Sequence, residues 1–218
     1  MQTESESLFE TFCTSLELRY ERIPRDKTRT ADYRIYPGDH EVVAEVKQLE
    51  PNAEDQAHAV EIEHGRVAAR SYPVGKRVRQ EILDSKAQIR AIAKDRCPGL
   101  VVLFNNIPFG HAHTDPMMVL TAMYGQIKAI VAVPRDFESS PYVADTLFGG
   151  SRSVTEDHNT SISAVCVLYT YEDRPGLNFY HNSFATKKFD PSWLRATSVR
   201  HYGVANAGAH RFEDWKEL

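Results

Sequence analysis

An α/β fold with a mixed central β-sheet flanked by helices is the architecture that this 218-residue chain predicts, and three observations carry it. Apolar residues recur at helical spacing over 4–20 and again over 76–94. Strand-like runs on either side of turn residues mark hairpins at 31–49 and 162–181. A short, continuously apolar run at 100–104, of the kind buried on both faces, and another apolar strand at 127–133 follow helical stretches, the pattern of strands reached by crossover helices.

Leu8, Phe9, Phe12, Cys13 and Leu16 form the apolar stripe of a first helix, with Ser5 or Ser7 available as its N-cap. Residues 21–30, ERIPRDKTRT, are too polar and too interrupted by Pro24 to continue it. Ala31–Tyr36 then alternates, Pro37-Gly38-Asp39 turns the chain, and the Val-rich run Glu41–Leu49 completes a hairpin. Residues 52–71 are compatible with a helix, and Tyr72–Gly75 interrupts the chain before a helix over Lys76–Lys94. Val78, Ile82, Leu83, Ile89, Ile92 and Ala93 supply the buried stripe of that helix, which Cys97-Pro98-Gly99 stops ahead of a strand at Leu100–Phe104. Residues 115–124 read as helix and Ile127–Val133 as strand. Ile162–Tyr171 and Leu177–His181 read as a hairpin around Asp173-Arg174-Pro175-Gly176. No repeat or linker divides the chain, so residues 1–218 are expected to form one domain, with 205–218 a loose C-terminal tail.

With 42% hydrophobic and 26% charged residues the chain can bury one sizeable core. No run reaches the roughly 18 to 20 apolar residues of a membrane helix, and the start MQTESES has no basic segment followed by an apolar one. A soluble, cytoplasmic protein with no membrane partner is expected. Cys13, Cys97 and Cys166, odd in number and far apart, suit reduced core thiols. The net charge of −4 argues against a protein that coats nucleic acid non-specifically. Two basic runs, Arg19, Arg22, Arg25, Lys27, Arg29 and Arg34, then Arg66, Arg70, Lys76, Arg77 and Arg79, are either phosphate contacts or solvated faces. Glycine motifs of esterases, NTPases and dinucleotide enzymes are missing. His111-Ala112-His113 with Asp115 sits in a loop and is a weak zinc signal. Tyrosines and phenylalanines fall at core-like spacing and read as core.

The chemistry-bearing pattern is Asp32 on the first strand of the hairpin with Glu45 and Lys47 on the second. Residues two apart on a strand share a face, so Glu45 and Lys47 project together and a carboxylate from the partner strand can join them. Converging carboxylates suit a hard divalent cation, and a neighbouring ammonium can orient water and stabilise charge on a phosphate. The acid-x-Lys pattern also occurs at Asp84–Lys86 and Asp214–Lys216, but only Glu45–Lys47 has an acidic strand upstream. The plain alternative is the polar face of an edge strand.

The segment TADYRIYPGDHEVVAEVKQLE resembles the core motif of the PD-(D/E)XK nuclease superfamily, with Ala31 standing where many members have proline. The flanks extend the resemblance over residues 5–105: an acid-bearing first helix, and a later helix in which Lys86-Ala87-Gln88 precedes the apolar strand LVVLFNN. The resemblance implies a restriction-endonuclease-like fold, hydrolysis of nucleic acid with DNA ahead of RNA, and one or two Mg²⁺ or Mn²⁺ ions, in restriction, anti-phage defence or repair. It implies Asp32 and Glu45 as metal ligands with the Val46 carbonyl as a third, Lys47 as the catalytic lysine, and Glu10 as an extra carboxylate, ahead of Glu17. Gln88 matches a glutamine that some members turn toward the site. Such enzymes also act as homodimers or through a protein partner that delivers substrate, which the acidic net charge favours. The reading from another class is a non-catalytic subunit of the same fold that binds nucleic acid or protein.

Overall fold

A computed structural model describes residues 2–24, 30–67, 73–93, 96–135, 139–204 and 215–218. In chain order these form α1 (Glu4–Ser15), β1 (Arg19–Arg22), β2 (Tyr33–Tyr36), β3 (Val42–Leu49), α2 (Ala53–Glu63), α3 (Lys76–Ile92), β4 (Gly99–Asn105), α4 (Pro116–Tyr124), β5 (Ile127–Ala132), β6 (Tyr142–Phe148), β7 (Ile162–Tyr171), β8 (Arg174–His181), β9 (Val199–Val204) and β10 (Trp215–Glu217). Arg25, Lys27, Arg29, Arg70 and Asp214, all named above, lie outside the described residues.

Among the described residues eight strands form one sheet in the order β1-β2-β3-β4-β7-β8-β9-β10. β3, β4 and β7 are parallel neighbours, and the strands outside them add antiparallel pairs, apart from the parallel pair of β8 with β9. The sheet is mixed and flanked by helices. Its two faces follow from strand alternation. Val42, Ala44 and Val46 join Leu100, Val102 and Phe179 in the core under Phe9 and Phe12 of α1. Val43 joins Val101, Leu103, Val165 and Val167 in the core under Val78, Ile82 and Ile89 of α3 and Val119 and Met123 of α4. Cys13, Cys97 and Cys166 are buried free thiols. Among the described residues no helix is long and apolar enough to cross a membrane.

Several expectations change. The first helix starts at Glu4 as expected, but Thr3 rather than Ser5 or Ser7 is its N-cap and closes a capping box with Glu6. It ends at Ser15 because Arg19–Arg22 pairs with β2 as an edge strand, where polar side chains face water and helix periodicity has no hold. The apolar run at 127–133 forms a strand as expected, but outside the main sheet. Among the described residues β5 pairs only with β6, and Ile130 and Val131 are exposed. The β7–β8 turn is the two residues Glu172-Asp173, both at positive φ, so Pro175 and Gly176 are already in β8. Of the tail, 205–214 lies outside the described residues, whereas Trp215–Glu217 pairs with β9.

Candidate active site

The site begins where β2 leaves β3. β2 pairs with β3 only as far as the Tyr33–Ala44 register, so the edge of β3 beyond Ala44 is not covered by β2. Asp32, the residue just before β2, fills that gap: its N–H donates to the Ala44 carbonyl at 3.2 Å, and its Oδ2 accepts the Val46 N–H at 3.0 Å. Backbone groups alternate along a strand, so the Val46 carbonyl leaves β3 on the same edge as Asp32.

Alternation carries Glu45 and Lys47 to the opposite face from Val46, under α3. Glu45 is 3% exposed. Its Oε1 accepts from Lys47 Nζ at 2.7 Å and from Gln88 Nε2 at 3.0 Å. Among the described residues its Oε2 is buried with no hydrogen-bond partner. Burial pushes the Glu45 carboxyl up to about 7, the charge of Asp32 adds to the rise, and the Lys47 ammonium pulls against it. A proton on Glu45 would be shared with Asp32; without it, Oε2 has no donor. The structure thus brings Asp32, Glu45, Lys47 and Gln88 together.

Glu10 sits apart from this group. It accepts from Arg22 Nε at 2.5 Å and Tyr33 Oη at 2.9 Å. Burial by itself would raise its carboxyl, but those two partners hold it below the ordinary range. Glu17 lies beyond the end of α1 at positive φ and is exposed. The acid of α1 that shares a cavity with Asp32 is Glu6, in a space of about 420 Å³ also lined by Arg22 and Tyr33. Its signal was the capping-box spacing Thr3-x-x-Glu6, which marks a helix start but not a cavity.

Glu81 is a second residue that the motif left out. It lies on α3 seven positions before Gln88, on the same helical face with buried Ser85 between them. Burial raises its carboxyl and the charge of Lys47 opposes the rise. Glu81 also lines an adjoining cleft of about 680 Å³ with Glu50, Lys76, Arg77 and His113. There His113 is buried 3.9 Å from Asp55, which also takes Arg77, while His111 is exposed. Asp84, of the second acid-x-Lys copy, is bound by Gln80 on the solvent side of α3.

Among the described residues no three His, Cys, Asp or Glu side chains group as a metal cage. What is present is two facing carboxylates, a buried carboxylate oxygen without a donor and a main-chain carbonyl at the same edge. That oxygen set fits Mg²⁺, which binds through one or two carboxylates and fills its remaining positions with water and phosphate oxygens. It does not fit zinc, which favours a closed set of nitrogen and sulfur ligands. No family model, curated protein or solved structure matches the chain.

Proposed function

We propose that the chain is a Mg²⁺- or Mn²⁺-dependent nuclease of restriction-endonuclease-like fold, hydrolysing phosphodiester bonds of DNA ahead of RNA. The observation that supports the reading is the meeting of Asp32, Glu45, Lys47 and Gln88 at the splayed edge of β2 and β3. Asp32, Glu45 and the Val46 carbonyl would hold the cation, which supplies charge opposite the phosphate and acidifies a water. Hydrolysis adds a water oxygen to phosphorus and breaks one P–O ester bond, with a proton passing to the departing oxygen. Lys47, 22% exposed, reaches the site with a cation placed to face negative charge building on the phosphate. Gln88 orients Glu45 from the helix above. In the adjoining cleft Lys76 and Arg77, set beside Glu50, Glu54 and Glu81, would be the cations to meet the polymer's phosphates.

The test is incubation of purified protein with DNA and with RNA in Mg²⁺, Mn²⁺ or EDTA, beside Asp32→Asn and Lys47→Ala. The expected result is cleavage that needs the metal and falls at least about a hundredfold in either variant, the size of effect seen when one group that stabilises developing charge is removed. Absence of metal-dependent cleavage of both polymers, with a protein partner supplied as well, would remove the reading. Biological activity surviving Lys47→Ala would point instead to a non-catalytic binding subunit.

A further inference from the structure

On the face of the sheet that carries Lys47, a second groove opens beyond α4. It has a volume of about 580 Å³ and is lined by Tyr169, Tyr171, Arg174, Asn178, Arg200 and Tyr202. Strand pairing fixes its relation to the site: Lys47 aligns with Leu103, Leu103 with Val167, Val167 with Asn178, and Asn178 with Arg200. Four strand spacings therefore separate Lys47 from Arg200 in one row, about 19 Å.

We infer that this groove binds a single strand of nucleic acid, its tyrosines stacking on bases and Arg174 and Arg200 meeting phosphates. The inference deepens the nuclease reading and takes its ligand class from it.

The groove has the parts of a stacking platform, since single-strand sites combine aromatic faces with a cationic track and need no base-specific code. The rings are held in place. Tyr202 stacks on buried Tyr180 with centroids 5.3 Å apart and planes at 18°. Tyr169 lies over Gly176, where an added Cβ would come within 2.4 Å of the ring, so no larger residue fits beneath it. Tyr171, at the outer end, is 69% exposed and beside Arg174 on the partner strand. Asn178 also lines the groove between the rings, with its Oδ1 buried. Two acids are also near. Glu172 lines the groove, and Glu217 pairs with Arg200 at 3.5 Å, both side chains 54% exposed. An exposed pair of that kind is weak and gives way to a phosphate.

Binding of a fluorescein-labelled oligothymidylate of about ten nucleotides, followed by anisotropy in EDTA, tests the inference without any cleavage. Tyr171→Ala, at an exposed position that leaves the fold intact, is expected to weaken binding about tenfold, the loss of one stacked base. Arg174→Ala with Arg200→Ala is expected to flatten the slope of log K against log salt by about 1.4, two phosphates at about 0.7 each on a single strand. Equal affinity and equal slope in all proteins, or no binding by the wild type, would overturn the inference even if the protein cleaves. Binding that Tyr171→Ala weakens, in a protein that cleaves neither polymer, would sustain the groove while removing the nuclease reading.

Discussion

Gln88 Nε2 donates to Glu45 Oε1 at 3.0 Å and ties α3 to β3 at the one carboxylate oxygen that Lys47 also holds. Gln88 is 6% exposed, and its own Oε1 is buried without a partner. A buried carboxamide with half its capacity unused costs stability, and its return is a fixed Glu45. Gln88→Ala is expected to cut metal-dependent cleavage about tenfold with little change in stability, since one hydrogen bond and one unsatisfied oxygen are lost together. Initial rates beside thermal melts separate the two effects. A large fall in melting temperature with unchanged rate per folded molecule would make Gln88 purely structural.

Glu45 titrates against the fold. Its carboxyl rises from 4.5 to about 7 on folding, so the folded state holds the proton more tightly. The contribution to stability is therefore fully present below pH 4.5 and is lost as pH rises through about 7. Above that pH the cost is on the order of 3 kcal/mol. Glu45→Gln is expected to raise the melting temperature in EDTA at pH 8 and to leave it nearly unchanged at pH 4.5. A gain of equal size at both pH values would show that charge is not its source.

Cation binding should expel that proton. Near pH 6 Glu45 is mostly protonated, and a divalent ion between it and Asp32 favours the ionised form. Calorimetric titration with Mn²⁺ in two buffers of different ionisation enthalpy is expected to report close to one proton released at pH 6 and almost none at pH 8. Glu45→Gln should abolish the difference. Identical proton counts at both pH values in the wild type would place the ion elsewhere.

The hairpin carrying the acid motif, and the helix and strand after it, were legible because each obeys a local rule. Glu45 and Lys47 two apart on a Val-rich strand can only share a face, and the spacing of Val78, Ile82 and Ile89 can only bury one side of α3. Glu81 and Glu6 were not legible, because their value depends on which helix face meets β3 and on how the start of α1 is capped, both tertiary outcomes. Arg19–Arg22 hid for another reason. An edge strand needs backbone pairing and no apolar pattern, and RYER has none. The tyrosines of β7 and β9 have the spacing of core residues, yet the helices on their face end before covering them.

At the far end of the sheet, His181 Nε2 and His201 Nδ1 are 2.9 Å apart, and His201 Nε2–H donates to the Leu194 carbonyl at 2.9 Å. With His201 Nδ1 left as acceptor, His181 must be the donor and both rings are neutral. Burial, and then the neighbouring His201, hold His181 down at about 3, while burial also lowers His201. A depressed histidine gives stability that is present above its ordinary 6.5 and fades as pH falls toward the folded value. His181→Phe, which keeps a ring stacked on Phe179 and His201 and beside Phe189, is expected to flatten the acid limb of the stability profile. The difference from wild type should approach on the order of 3 kcal/mol at pH 4. Parallel acid limbs would assign the loss to other groups.

Two glycines at nearly the same φ separate conformation from contact. Gly75, the N-cap of α3, has φ +66°, and Gly38, in the β2–β3 turn, has φ +61°. A side chain in that region costs about 1 kcal/mol at either position. At Gly75 the space is also taken: a Cβ there would lie 2.7 Å from the Ala122 nitrogen and 2.8 Å from the Met118 carbonyl, whereas among the described residues nothing lies within 4 Å at Gly38. Both atoms belong to the backbone of α4, so relief requires the helices to part and the core between Val78 and Val119 to loosen. Gly75→Ala is therefore expected to cost about 3 kcal/mol and Gly38→Ala about 1 kcal/mol in denaturant titrations. Since α3 also carries Gln88 and Glu81, Gly75→Ala should weaken Mn²⁺ binding at temperatures where the protein remains folded, and Gly38→Ala should not. Equal losses at the two sites would mean that the close approach of α3 to α4 does not set the height of Gln88 above Glu45.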